Sequence, residues 1–395
     1  MNILIVSNMY PEAARPVYGQ FVQYQAEELH KRGHEVVVVS PQPFVPSLPG
    51  VPKRYKKLDR EVPAIRDDDG ILVIFPRTLS LPGTRTQPIT ALTSRIRSRS
   101  WIKRLEELEF DPDIVNAHVA QPNGYASIPI CDHFDAPLVT TVHGADLNLL
   151  YNQFLNRLFV HRVFDQSDAI LVNSPKLEKI AEGGYGETDR LHVVPVGIPV
   201  DKIQSAKTKP CPSEIDRDIP TLVSVGDLID SKGHATTLEA LSQLSQDVQC
   251  IIIGDGQKKD EFEEMARSLS LENVYFTGVI PNEHVFEYLW HSQIFVLPSY
   301  REAFGIAYLE AMACELPAIA CREEGPEYFI EHGENGYLTT RQDPDELAYF
   351  INELLESPSL RRDIGKAAKE TSCDYSWTQN VNQVEQIYQA LVDVP

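Results

Sequence analysis

Twice along this chain a series of short apolar runs alternates with helical patterns, first from the N-terminus to about residue 196 and again from Pro220. Runs at 3–6, 35–39, 71–75, 114–117, 138–142, 169–172 and 191–196 read as strands, and residues 20–32 read as an amphipathic helix closed by Gly33. A second set of strands is expected at 221–225, 248–253, 274–276, 294–297, 318–320 and 337–339. Strands alternating with helices are the signature of parallel βαβ units. Residues 197–219 carry several Pro, Lys and Asp residues without periodicity and read as a linker, while 376–395 read as a final helix. At 395 residues, two domains of about 200 each are the natural division, here 1–196 and 220–375. Two such halves leave a cleft, and clefts between domains are favoured ligand sites.

Composition narrows the function classes. Hydrophobic residues make up 43% and charged residues 24%, as in an ordinary globular protein. No apolar run approaches the roughly 18 residues of a membrane span, and no basic-then-apolar leader opens the chain. The six cysteines are scattered, with no C-x-x-C pair, so neither zinc nor a redox motif is expected, and a reducing cytoplasm is. A net charge of −21 disfavours nucleic acid as a partner; a saline habitat and plain solubility both account for it. The acidic groups Asp67-Asp68-Asp69-Gly70 and Asp111-Pro-Asp113 read as turns before strands, because Gly and Pro suit turns better than metal sites.

The chemistry concentrates in Ser299-Tyr-Arg-Glu302-Ala-Phe304-Gly305-Ile306-Ala-Tyr-Leu-Glu310. Glu302 lies in the loop after a strand and Glu310 about two turns into the next helix. Open α/β sheets bind ligands beyond their strand ends. Two carboxylates there suit several hydroxyls, and a helix N-terminus entered through Phe304, Gly305 and Ile306 suits a phosphate. Sugar, phosphate and ribose together make a nucleotide sugar. Elsewhere, His118 ends the strand at 114–117, His143 follows the strand at 138–142 with Asp146 beyond it, and Tyr18-Gly19 precedes the first helix. A lone histidine in such a place is more often structural; two on adjacent strand ends favour a site. Gly19 reads equally as a turn glycine or as a place where backbone approaches a ligand. No G-x-G-x-x-G follows the first strand, against a dinucleotide-dependent dehydrogenase.

The spacing of Glu302 and Glu310 resembles the E-x7-E signature of retaining glycosyltransferases of family four, which have the GT-B fold of two Rossmann-like domains. The resemblance extends over nearly the whole chain. It implies a retaining, metal-independent transfer of a sugar from a UDP- or GDP-sugar to a hydroxyl of a glycan or lipid-linked acceptor. It also implies catalytic roles for His118, His143 and Glu302. Glu302 would hold sugar hydroxyls with the Phe304 and Gly305 amides, and Glu310 the ribose. Gly19, Lys232 and Ile306 would face the phosphates, and Val279 and Ile280 the base. The sequence Val225-Gly226-Asp227-Leu228-Ile-Asp-Ser-Lys232 resembles the family's phosphate element, and Gly254-Asp-Gly256 another loop of the nucleotide side. Asp227 stands where the family commonly has arginine, and a second glycine usual beside Gly19 is missing; Arg301, Lys258 and Lys259 are the candidates to replace the lost cation. The final helix would cross back to the first domain through Trp377. No cofactor or metal is implied, and the site of work would be surface polysaccharide or glycolipid synthesis.

Arg95, Arg97, Arg99, Lys103 and Arg104, with Ile96, Trp101 and Ile102 interleaved, form a basic segment against the acidic background. It reads either as a peripheral contact with an anionic membrane on the cytoplasmic face, joined by the basic run at 53–57, or as a solvated helix face. Two other classes stay open: a GT-B nucleotide-sugar 2-epimerase, or a phosphorylase with its lysine-bound pyridoxal phosphate, and a non-catalytic nucleotide-sugar-binding partner of another transferase.

Overall fold

The computed structural model describes residues 1–13, 15–44, 62–80, 86–144, 146–150 and 153–393, so the basic run at 53–57 lies outside the described residues. Contacts divide the chain into two compact units, Met1–Pro195 with Trp377–Pro395, and Val196–Ser376.

In the first unit the strands are β1 (Asn2–Val6), β2 (Glu35–Val39), β3 (Gln42–Phe44), β4 (Ile65–Asp68), β5 (Ile71–Ile74), β6 (Arg77–Leu79), β7 (Ile114–His118), β8 (Leu138–Val142), β9 (Ala169–Val172) and β10 (Leu191–Val193). Its helices are α1 (Gln20–Lys31), α2 (Gln87–Glu107), α3 (Tyr125–Phe134), α4 (Phe154–Gln166) and α5 (Pro175–Tyr185). The main sheet runs β10-β9-β8-β7-β1-β2-β5-β4, and β3 pairs with β6 apart from it. Only β4 runs antiparallel, forming a hairpin with β5. Ile3, Leu4, Ile5 and Val6 are all fully buried. A strand covered on both faces has no polar side, which is why such stretches read as unbroken apolar runs. Strands β3, β4 and β6 escape the sequence reading because they are three or four residues long and mix polar with apolar side chains.

The hairpin turn Asp69-Gly70 has φ of 50° and 93°, and Asp67 accepts the Gly70 N–H at 2.8 Å. Asp68 is held by the Arg66 guanidinium, and Asp113 accepts the Asn2 N–H at 2.7 Å. These acids are spent on turns and strand starts.

The second unit holds β11 (Thr221–Val225), β12 (Gln249–Ile253), β13 (Val274–Gly278), β14 (Ile294–Val296), β15 (Ala318–Cys321) and β16 (Gly336–Thr339), all parallel, in the order β13-β12-β11-β14-β15-β16. Its helices are α6 (Val200–Ala206), α7 (His234–Leu241), α8 (Lys259–Ser268), α9 (Asn282–Trp290), α10 (Ile306–Ala313), α11 (Pro344–Glu356) and α12 (Pro358–Ser372).

Helix α6 corrects the expected linker at 197–219. Ile203 and Ala206 are buried, and Trp290 Nε1 donates to Ile203 O at 2.7 Å. Two turns are too short for a periodic signal, so packing rather than pattern makes this helix.

The last helix, α13 (Trp377–Val392), belongs to the first unit. Tyr388 is buried in its core and accepts from Asn116 Nδ2 at 2.7 Å, and Gln25 Nε2 donates to Asn380 Oδ1 at 2.8 Å. Arg32 and His34 both reach Glu385, the latter at 2.6 Å.

In each sheet the strand order reverses beside one strand: β1 lies between β7 and β2, and β11 between β14 and β12. Ligands of open parallel sheets bind beyond the carboxyl ends at such a reversal. The loops after β1, β7 and β8 in one unit, and after β11 and β14 in the other, are therefore the places to look.

Candidate active site

In the first unit, β7 ends on His118 and β8 is followed by His143. The rings stack at 5.2 Å between centroids with 7° between planes, and His118 Nδ1 lies 2.9 Å from His143 Nε2. Phe21 of α1 packs on His143 at 4.6 Å. Burial pulls His143 down to about 4, and burial together with the neighbouring ring holds His118 well below the usual histidine range. Both rings are thus neutral at pH 7 and share one proton along their contact. His118 Nε2 is buried and has no hydrogen-bond partner among the described residues. Which of the two ring nitrogens carries the His118 proton decides whether that atom donates or accepts.

Asp146 lies three residues beyond His143, and its carboxyl accepts from the His143 backbone N–H. Burial raises its carboxyl to about 7, against the backbone N–H groups of Gln121, Ala120 and His143, which favour the charged form. Its Oδ2 is buried without a hydrogen-bond partner among the described residues. Asn123 Nδ2 donates to His118 O at 2.7 Å and to Asn8 Oδ1 at 2.8 Å, tying the loops after β7 and β1 together. Gly19 has φ 77°, and a Cβ there would lie 2.3 Å from Met9 C. Its own loop therefore demands glycine, whatever else it touches.

In the second unit, Lys232 Nζ lies 2.6 Å from Glu302 Oε2. Lys232 follows β11 across a single 3₁₀ turn, Asp230–Lys232, and Glu302 follows β14. Ser299 Oγ donates to Glu302 Oε2 at 3.3 Å, and Tyr300 N donates to Ser231 O at 2.8 Å, so the two loops are laced together. The Lys232 stem runs over Gly226, where a Cβ would sit 3.5 Å from Lys232 Cδ. On the other side, the Glu302 N–H donates to Glu324 Oε2 at 2.8 Å.

Gly305, with φ 98°, caps α10, and Ile306 begins it. Phe304 is buried against Phe329 and Tyr375, so only its backbone is free to serve a ligand. Glu310 is buried in α10, and burial raises its carboxyl to about 8, so it is protonated at pH 7. Val279 is exposed beyond β13 and Ile280 half-buried, both at the sheet edge where β13 ends on Gly278.

The replacement cations sort themselves. Lys258 is paired with Glu261 at 2.6 Å and Asp230 at 3.5 Å, and Lys259 lies 3.9 Å from Glu263. Arg301 is exposed next to Glu302, with φ 75°. Asp227 is exposed, and its backbone oxygen accepts from His234 Nε2 at 3.2 Å. His234, fully buried beneath that loop, and Glu324 both escape the sequence reading. Nothing in a linear pattern links residue 324 to residue 302; only the neighbouring strands β14 and β15 do.

The basic segment lies on α2, and the structure divides it. Trp101 and Ile102 are buried in the core. Arg95 is half-buried, donating to Tyr125 O at 3.2 Å with its guanidinium 4.9 Å from the Tyr125 ring, and Arg104 pairs with Glu107 at 2.8 Å. That leaves Arg97, Arg99 and Lys103 exposed, Lys103 with its Nζ 4.0 Å from Glu107 Oε1.

Residues 206–371 match the family "Glycosyl transferases group 1", and residues 19–202 match "Glycosyltransferase Family 4". TuaC of Bacillus subtilis (strain 168), named for teichuronic acid biosynthesis, is 30% identical over 339 residues, covering 82% of each chain. The chain belongs to the group 1 glycosyltransferases. Glycogen synthase of Mycobacterium tuberculosis is 25% identical over 99% of this glycosyltransferase and 95% of its own length. Among solved structures, sucrose-phosphate synthase of Thermosynechococcus elongatus superimposes with a TM-score of 0.78 at 20% identity, covering all of both chains. Anabaena HepE in complex with UDP-glucose does so with 0.73 at 19%, covering 99% of this chain and 100% of its own. The fold is GT-B, and the enzyme is of the hexosyltransferase class. Among the described residues, no helix of this glycosyltransferase is long and apolar enough to cross a membrane.

Proposed function

We propose that this glycosyltransferase moves a hexose from a UDP- or GDP-sugar to a hydroxyl of a glycan or lipid-linked acceptor, retaining the anomeric configuration and using no metal ion. The observation that carries this reading is the Lys232–Glu302 pair at 2.6 Å, set at the strand-order reversal of the second sheet. Lys232 brings positive charge to the donor diphosphate and stabilises the charge that develops on the leaving group, a kind of contribution worth about 10²–10³ in rate when one such donor is removed. The α10 N-terminus at Gly305 and Ile306 offers N–H groups to the same oxygens. Glu302, once Lys232 turns to phosphate, accepts hydrogen bonds from sugar hydroxyls. Glu310 takes the ribose, its buried carboxyl able to donate as well as accept while protonated.

From the first unit, His118 Nε2 addresses the donor sugar near its anomeric carbon, and His143 fixes the ring that presents it. The leaving phosphate takes the acceptor proton on the face it departs from, so the protein acts by positioning and electrostatics. HepE, of the same fold, was solved with UDP-glucose, and TuaC is named for teichuronic acid biosynthesis; together they make a UDP-sugar and a glycan acceptor the first choices to test.

Thermal unfolding with UDP, GDP or ADP, with and without a chelator, tests this. A nucleotide at 100 times its Kd adds about 2.7 kcal/mol of stability. The reading expects a shift with one nucleotide, unchanged by chelation and absent in Glu310→Ala. A shift that needs the metal, or none with any nucleotide, contradicts it.

A further inference from the structure

Strands β14 and β15 pair through Phe295 with Ala318 and Val296 with Ile319, and the Leu297 N–H then donates to Ile319 O at 3.1 Å. Beyond that bond β14 leads into the loop before α10, and β15 into a 3₁₀ turn at Gly325–Tyr328. The two loops meet again at Glu302. The Gly325 N–H donates to Glu302 O at 3.0 Å, and the Glu302 N–H donates to Glu324 Oε2 at 2.8 Å. Glu302 is thus held on both sides of its own backbone, once by a peptide group and once by a side chain. The approach is close: a Cβ on Gly325 would lie 2.5 Å from Ala303 C and O. The loop that does the holding is itself fixed. The Glu323 N–H donates to Glu327 Oε2 at 2.6 Å, and Phe329 packs on Phe304 with 5.5 Å between ring centroids.

Arg301 shows why two bonds are needed here. Its φ of 75° is left-handed, a conformation that a residue with a side chain keeps only where its surroundings impose it. Relaxing Arg301 to a right-handed conformation would turn the 301–302 peptide and re-aim Glu302. The Glu302 N–H belongs to that peptide, and the Glu324 carboxylate holds it. We infer that Glu324 is a positioning residue for sugar transfer, acting through Glu302 rather than on substrate. It fixes the Glu302 backbone, so that only the Glu302 side chain swings from Lys232 to the sugar. The inference rests on the role proposed above for Glu302.

Two mild variants of the full chain separate reach from charge. Glu324→Gln keeps an acceptor oxygen at the same reach and loses the charge, whereas Glu324→Asp keeps the charge and draws the acceptor back by one methylene. Sugar transfer, calorimetric titration of UDP and GDP, and amide hydrogen exchange across residues 299–305 are measured on each. Glu324→Gln should retain most of the wild-type kcat and the wild-type exchange. Glu324→Asp should lose about 10–10²-fold in kcat, the scale of a lost bond to a charged group and of a contact misplaced by about 1 Å. It should also exchange faster across 299–305, with nucleotide Kd and melting temperature unchanged. Glu324→Gln as slow as Glu324→Asp overturns the inference, because charge rather than position would then be at work. So does Glu324→Asp with wild-type kcat or exchange, or with nucleotide Kd raised as much as kcat falls. A wild type that binds no nucleotide and transfers no sugar contradicts the proposed function instead, and exchange in the two variants then decides the Glu324 contact alone.

Discussion

The two strand-order reversals are built from opposite chemistry. At the first sheet, His118 and Asp146 are buried and His143 half-buried, and burial holds the histidines below their usual range and raises the carboxyl to about 7. At the second, Lys232 and Glu302 form an ion pair with both side chains partly exposed, at 24% and 15%. On the function proposed above, the difference is a division of labour. A diphosphate needs a cation that solvent can reach before it binds, whereas a sugar near its anomeric carbon needs fixed dipoles that do not trade with water. A neutral histidine pair also avoids placing a full charge beside a centre that itself becomes positive during transfer.

The largest expected effect tests the charged half. Lys232→Ala should lower kcat/KM by about 10²–10³-fold, measured by product release from the donor. A loss of under tenfold would mean that another cation, Arg301 first, carries the diphosphate, and Arg301→Ala should then show the large loss instead.

Next comes a contrast in pH dependence between His143 and Glu310. Burial lowers His143 from 6.5 to about 4, so the unfolded chain binds that proton first: stability from this group is complete above pH 6.5 and is lost as pH falls toward 4. Glu310 is raised from 4.5 to about 8, so its contribution is complete below pH 4.5 and is lost as pH rises toward 8. Glu310→Gln should therefore be more stable than wild type at pH 8, by about 2–4 kcal/mol, and equal to it near pH 4. Denaturant melts at the two pH values decide; a variant less stable at both would show that Glu310 is satisfied as an anion.

A smaller effect sharpens the neutral half. Salt should weaken nucleotide binding through Lys232, since partly exposed charges are screened within about 10 Å at 0.1 M. The rate loss in His118→Gln, by contrast, should be the same at low and high salt. Smallest is the attachment of the last helix. Glu385 is pushed up by burial, but hydrogen bonds from His34 and Arg32 outweigh that and hold it below the usual glutamate range. Glu385→Gln should cost about 0.5–1 kcal/mol in a melt, because the pair is partly solvated.

Much of this was legible in the sequence, for physical reasons. Strands buried on both faces print unbroken apolar runs, so β1, β2, β7, β8 and β11 could be read directly. The two histidines stood out because they end such runs, Glu302 and Glu310 by their spacing, and Lys232 by the resemblance of the stretch around it. What the pattern hides is environment. Glu302 and Glu310 are the same letter twice, yet one is ion-paired at a loop and the other is a protonated acid inside a helix. Gly19 could be read as a turn glycine or as a ligand contact, and the close approach of Met9 is enough to require the glycine for the turn alone. The basic segment read as one unit, whereas helical geometry turns Trp101 and Ile102 inward and ties Arg95 to Tyr125. Glu324 and His234 gave no signal, since what brings them to the site is a neighbouring strand and a buried loop.

The most direct test of the division between the two sites is calorimetric titration of UDP and GDP into wild type, Lys232→Ala and His118→Ala. The account predicts that one nucleotide binds the wild type, that Lys232→Ala weakens it at least tenfold, and that His118→Ala leaves it within about twofold, each tenfold being 1.4 kcal/mol. Equal loss in both variants, or loss in His118→Ala alone, would contradict it.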